Sequence, residues 1–353
     1  MTRLRIGFCV ELERDASGGR ATFLRPFSIS EISSMFLRRL WPIAVLSGIL
    51  AISGCSAEPS VPLATKPPTI DNCGTKVPAD SAPQRIVTVK STATEMAAAL
   101  GLADRIVGIA QLDGPLPPSF GADISAKILS EQSLNAEALL NVDPDLVYSG
   151  WESTFPGSGP LSRDALGQLG ITTLVSPAAC KDPERVTEML SFGDLFTEIQ
   201  QTGRALGAGA RAAELVRRQK ERLETVTPIP GSPTAVWYSS NVTLPYIGGG
   251  TGAPALIMRT VGVRNAFDAM KDTWGSVSWE SIAAADPSLI ILADSSWSTA
   301  ARKIEALESN AATKNIDAVV NQRYIILPFA ATEAGVRVID AVESVISQWK
   351  SLN

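Results

Sequence analysis

The side chains in this sequence best suited to hold a solute are tryptophans set beside charged and small polar residues. Trp151, Trp274 and Trp297 fall at predicted strand ends or in loops, where an exposed ring face can stack on a planar ring system. Lys90 ends a predicted strand, and Ser91 and Thr92 open the helix that follows. A cation and free backbone N–H groups there face an incoming phosphate or carboxylate together. Arg337, after Ala334-Gly335, offers a second cation; a solvated surface charge is its plain alternative. In the run GGGTG at 248–252, Gly249, Gly250 and Thr251 are flexible enough to turn N–H groups toward an anion, or they make a simple tight turn. The run lacks the Lys-Ser/Thr of a P-loop, so nucleotide hydrolysis has no support. Gln111, Asp113, Glu152, Tyr238, Ser239, Ser240, Asp294 and Glu333 occupy the same kind of strand-end position.

Reactive chemistry is harder to find. The chain has no histidine, which removes the commonest general base and the commonest transition-metal ligand. There is no Gly-x-Ser-x-Gly elbow and no metal cluster, and nothing in the spacing of Asp113, Glu152 and Glu333 demands a catalytic carboxylate pair. A net charge of −5 with no basic block argues against nucleic acid as a partner. The expectation is binding without catalysis, metal or cofactor.

These residues are positioned by a unit that occurs twice. NAEALLNVDPDLVYSGW at 135–151 and SWESIAAADPSLIILADSSW at 278–297 share a glutamate (Glu137, Glu280), a short apolar helix, an Asp-Pro turn (Asp143-Pro144, Asp286-Pro287) and a β-rich strand, with the same glutamate-to-proline spacing. Strands are predicted at 85–90, 106–110, 146–149 and 171–175, then at 234–238, 245–247, 289–292 and 324–327, with helices between them. This alternation predicts an α/β protein of two similar parallel-sheet lobes, 84–190 and 230–353. The connector 191–229 is helical and split by Gly203, Gly207 and Gly209. Its second half, 210–226, is amphipathic and long enough to join the lobes as a rigid helix. Trp237, inside a strand, and Trp279, inside a helix, are expected in the core.

Ahead of the lobes, Arg38-Arg39, an apolar run at 40–52 and Ser53-Gly54-Cys55 read as a signal peptide over 35–54. Its tail resembles a bacterial lipobox, making Cys55 the lipidated residue and the membrane anchor. Residues 1–34 read as an upstream extension, misassigned or cytoplasmic, with Met35 as the start. Residues 55–83, rich in Ser, Ala and Pro, read as a flexible tether. No later stretch is apolar and long enough to span a bilayer. With Cys9 and Cys55 accounted for, Cys73 and Cys180 remain as an expected disulfide in an oxidising compartment.

The segments RIVTVKSTATEMAAALGLADRIVGIA and NAEALLNVDPDLVYSG resemble the helical-backbone (class III) solute-binding lipoproteins of ABC importers, the binders of iron-siderophores, haem and cobalamin. The resemblance covers about residues 83–353. It implies a solute held between the lobes and handed to a permease and its ATPase, with Glu137 and Glu280 as the docking acids that meet permease arginines. DNCGTKVP, QLDGPLP, GWES, SPAACKDPE, VWYSSN, IGGGTGAP, DTWGSVSWE and PFAATEAGVR most closely resemble actinobacterial lipoproteins assigned to import of a precursor of the deazaflavin coenzyme F-420. That likeness implies an anionic aromatic ligand. The alternatives are a siderophore, haem or cobalamin binder and, from another class, a cell-surface hydrolase or adhesion lipoprotein.

Overall fold

In the computed structural model, which describes residues 68–121, 124–181 and 189–352, the chain first folds back on itself. β1 (Thr69–Asn72) and β2 (Thr75–Pro78) pair antiparallel about Cys73 and Gly74, both at positive φ, the geometry of a two-residue hairpin turn. This corrects the tether: residues 68–83 are part of the folded domain. Asn72 donates to the Val175 carbonyl at 2.7 Å and accepts the Val175 N–H at 2.9 Å. The Arg163 guanidinium holds the Asn72 carbonyl and side chain, and Cys73 is disulfide-bonded to Cys180. The strand sequences, TIDN and TKVP, carry no hydrophobic run, so their strand character depends on these distant partners. The remaining tether, the signal segment with Cys55 and residues 1–34 lie outside the described residues.

Lobe one is a five-stranded parallel sheet. β3 (Ile86–Val89), buried along its whole length, sits at its centre. β4 (Ile106–Ala110) and then β5 (Lys127–Ser130) lie to one side, and β6 (Leu146–Ser149) and then β7 (Thr172–Val175) to the other. The helices are α1 (Ser91–Ala99), α2 (Pro118–Gly121), α3 (Ala136–Leu140) and α4 (Arg163–Gln168). One face buries Ile86, Met96, Leu146, Tyr148 and Leu174; the other buries Val87, Val89, Leu139, Val147 and Leu166. Strands covered on both faces need apolar residues at successive positions. Val89 pairs with both Ala110 and Ser149, so residues 90, 111 and 150 leave the sheet side by side.

The connector is two antiparallel helices. α5 (Phe192–Ala205) places Leu195 in the core of lobe two and Ile199 and Ala205 in that of lobe one. The chain turns at Gly207, whose φ is +65°. α6 (Gly209–Glu224) then runs back, burying Ala212 and Val216 in lobe one and bonding Gln219 to the Val336 carbonyl at 2.7 Å. A Cβ at Gly203 would come within 2.3 Å of Ala212 Cβ, so that glycine lets the two helices touch.

Lobe two repeats the plan with an insertion. β8 (Thr234–Ser240), β12 (Leu289–Asp294) and β13 (Tyr324–Pro328) are parallel neighbours, as β3, β6 and β7 are. β9 (Tyr246–Gly248) lies antiparallel to β8, with the short β10 (Arg264–Asn265) beside β8 and β11 (Trp274–Ser276) beyond β9. Its helices are α7 (Ala253–Thr260), α8 (Trp279–Ala285), α9 (Ala300–Ser309), α10 (Asp317–Val320), α11 (Phe329–Thr332) and α12 (Val338–Leu352). Ala235 and Trp237 face one side of the sheet and Val236 and Tyr238 the other. In both copies of the repeated unit the aspartate before proline takes a left-handed conformation, φ 44° at Asp143 and 38° at Asp286. That turn delivers β6 and β12 to equivalent places in their sheets.

Candidate functional site

The carboxyl ends of the two sheets face each other, and the side chains they project meet in one cluster. Lys90 closes β3 at φ 78°, ψ 151°, a region that glycine populates and other residues enter only under strain. Its N–H is fixed to the Ala110 carbonyl at 3.0 Å. The side chain is 1% exposed. Its ammonium is ion-paired to Asp113 and stands 3.7 Å from the centroid of Trp151, 5.6 Å from Phe329 and 5.8 Å from Trp297. Phe329 is edge-on to both tryptophans, at 6.5 and 5.0 Å. Trp151 comes from lobe one, and Trp297 and Phe329 from lobe two, where Asp294 pairs with Pro328 at the sheet edge.

Polar bonds join the lobes at this place. The Trp151 indole N–H donates to Glu333 at 3.0 Å, and that of Trp297 to Asp113 at 3.3 Å. The Ser296 N–H donates to the Asp113 carbonyl at 2.8 Å. Arg337 donates to Glu95 at 3.2 Å. Burial pushes the Glu333 carboxyl up to about 7, opposed by the Trp151 N–H, raised further by Asp113 and opposed again by Lys90. Glu95, 2% exposed, is pushed by burial to about 7 against the pull of Arg337. Thr92 lies at the same seam, near the positions that side chains on Gly150 and Gly335 would take.

Several sequence candidates therefore converge: Lys90, Ser91, Thr92, Asp113, Trp151, Trp297, Glu333 and Arg337. The helix N-terminus expected to receive an anion is instead met by Asp113, whose carboxylate accepts the Ser91 N–H at 3.3 Å while its own N–H donates to Ser91 Oγ at 2.9 Å. Lys303 braces the two ends of the segment 293–298 that carries Trp297. Its buried ammonium, held down to about 8 by burial, donates to the Ala293 and Ser298 carbonyls, each at 2.6 Å.

Other candidates lie elsewhere. The glycine run is a packing device: the Gly249 and Gly250 N–H groups are taken by the Thr273 and Met270 carbonyls, and a Cβ at either would come within 2.1 Å of a backbone oxygen. Thr251 is buried and touches Thr273. Asp294 caps α9 through the Ala300 N–H. Glu152 accepts the Lys181 N–H. Tyr238 and Ser239 are buried in lobe two, with Tyr238 Oη bonded to the Asn241 carbonyl and the ring edge-on to Trp279. Ser240 is half-buried at the end of β8. Trp274 stacks on Tyr246 at 6.3 Å and makes no ring contact with the three-ring cluster, although Tyr246 lies within electrostatic reach of Glu333. Gln111 turns the chain at φ 57° with its N–H on the Ser130 carbonyl. Trp237 is fully buried, and Trp279 nearly so, as expected. Sequence reading passed over Glu95 and Phe329. Glu95 follows the helix-opening run 91–94 and Phe329 follows the last strand, and neither position by itself signals a partner in the other lobe.

Two α/β lobes bridged by helices, with a cation and three aromatic rings caught between their strand ends, define a bilobal solute-binding protein. Residues 86–331 match the family model described as periplasmic binding protein, and the chain belongs to that family. It is 26% identical over 292 residues to the uncharacterized ABC transporter substrate-binding lipoprotein YvrC of Bacillus subtilis, covering 78% of this chain and 83% of that one. It is 27% identical over 168 residues to a cobalamin-binding protein of Halobacterium salinarum, covering 48% and 42%. The fold is similar to that of an ABC-type Fe3+-hydroxamate transport system protein from Saccharomonospora viridis, with a TM-score of 0.68 and 24% identity over 80% of this chain and 99% of that one. No helix among the described residues is long and apolar enough to cross a membrane.

Proposed function

We propose that this chain is the extracytoplasmic solute-binding component of an ABC importer, anchored through a lipid on Cys55. It receives a planar aromatic solute with an acidic group between its lobes. The observation that carries the reading is the cross-lobe cluster of Trp151, Trp297 and Phe329 around Lys90, with Arg337 beside it. Ring faces supply stacking area, and the two cations supply partners for an acid once their present carboxylates give way. A precursor of the deazaflavin coenzyme has this chemistry, and the sequence segments quoted above point to it. Glu137 and Glu280, each the second residue of an exposed helix start in its lobe, are the matched charges for a permease. Two like lobes presenting two like charges suit a partner of two-fold character.

The match to a cobalamin-binding protein favours a second reading, a corrinoid or other organic chelate bound whole. Calorimetric titration of the purified protein with a deazaflavin precursor, cyanocobalamin and haemin separates the two. Saturable binding of the deazaflavin alone supports the first reading. Binding of either chelate without the deazaflavin overturns it.

A further inference from the structure

The ring face best placed to stack a solute, that of Trp151, is covered by the protein's own ammonium. Lys90 reaches it at 3.7 Å with Asp113 as counter-ion. Asp113 is itself bound to the start of α1 through Ser91 and to lobe two through Trp297 and Ser296. An ammonium, three aromatic faces and a carboxylate make a complete recognition set, assembled from one chain. The backbone of Lys90 is held in a glycine-like conformation to present this side chain, and strain of that kind persists only where surrounding structure enforces it.

We propose that Lys90 and Asp113 are an internal stand-in for the solute. A planar ring takes the Trp151 face only by displacing the Lys90 ammonium, and the acidic group of the solute then replaces Asp113 as its partner. Lys90 thereby sets specificity. A neutral planar ring displaces the ammonium without offering it a new partner, whereas an acid-bearing ring does both. The inference rests on the proposed binding of an aromatic solute and extends it to the residue that discriminates among such solutes.

Riboflavin and flavin mononucleotide share one planar ring system and differ in a phosphate, which makes them the probes. The parent protein is expected to prefer the mononucleotide by about tenfold. In Lys90→Gly, riboflavin binds more tightly than to the parent and the preference disappears. Glycine adopts the local φ without strain, so this variant retains the fold, checked by its melting curve and circular dichroism. A second arm needs no solute: acrylamide quenching of tryptophan emission rises in Lys90→Gly, which uncovers the Trp151 face. Unchanged quenching in Lys90→Gly, or a mononucleotide preference that survives in it, overturns the proposal. Quenching that rises while neither flavin binds either protein upholds Lys90 as the internal occupant and refutes the aromatic-solute reading instead.

Discussion

Glu198 provides a direct test of how burial sets the chemistry of this fold. It lies on α5, 4% exposed, beside Tyr148 and the Pro177–Ala179 turn. The Ala178 N–H reaches its carboxyl, but Oε1 has no partner. Burial pushes its pKa from 4.5 to about 8. The folded value lies above the unfolded one, so the stability attached to this group is whole below pH 4.5 and drains away as pH climbs to about 8. At about 1.4 kcal/mol per tenfold, the full span is worth roughly 5 kcal/mol. Glu198→Gln keeps the shape and an acceptor for Ala178 but never carries charge. The variant should therefore gain stability over the parent as pH rises, by about 3 kcal/mol between pH 5.5 and pH 8, or a relative melting shift of about 6 °C. Parallel pH–stability curves for the two proteins would refute the reasoning.

The remaining expectations address the seam, the hairpin and the permease. Tryptophan emission should titrate near pH 7 through the Trp151–Glu333 bond, and the transition should vanish in Glu333→Gln. Since the raised carboxyl favours its protonated form, the closed seam weakens as pH rises through 7, and scattering curves that expand toward acid would contradict this. Replacing Cys73 and Cys180 by serine opens a link across 107 residues and should cost about 5 kcal/mol in the entropy model, read by urea unfolding. A cost near zero would mean that Asn72 and Arg163 hold the hairpin unaided. Reversing Glu137 and Glu280 to Lys together should abolish uptake and leave solute affinity unchanged. Normal uptake by that double variant would reduce both to ordinary helix-start acids.

The legible parts of the fold share a local cause. β3, β6, β8 and β12 are apolar runs that only a strand covered on both faces can satisfy. The Asp143-Pro144 and Asp286-Pro287 turns are fixed by proline and the left-handed tolerance of aspartate. These features sit within a few residues of one another, so the repeat and the two-lobe plan could be read directly. Lys90, Trp151 and Trp297 were legible as candidates because a residue just past a buried parallel strand has to emerge at the sheet's carboxyl end.

What neighbouring residues could not determine was which emerging side chains are already committed. The glycine run resembles an anion site until the segment 268–273 is folded onto it. Asp294 resembles a ligand until α9 takes it as a cap, and β1 and β2 resemble tether until Val175 and Arg163 bind Asn72. Glu95 acquires meaning only from Arg337, 242 residues away across the lobe boundary, and Phe329 from Trp151 and Lys90 of the other lobe together with Trp297 of its own. By itself, the sequence determined the central strands of both sheets, the repeat and the absence of histidine chemistry, all consequences of local propensity and composition, whereas β1, β2, β5, β10 and β11 were not legible in it. Tertiary structure alone decided that Lys90 is buried against three rings and paired with Asp113. Burial and ion pairing are properties of what surrounds a residue, and its surroundings are assembled from both lobes.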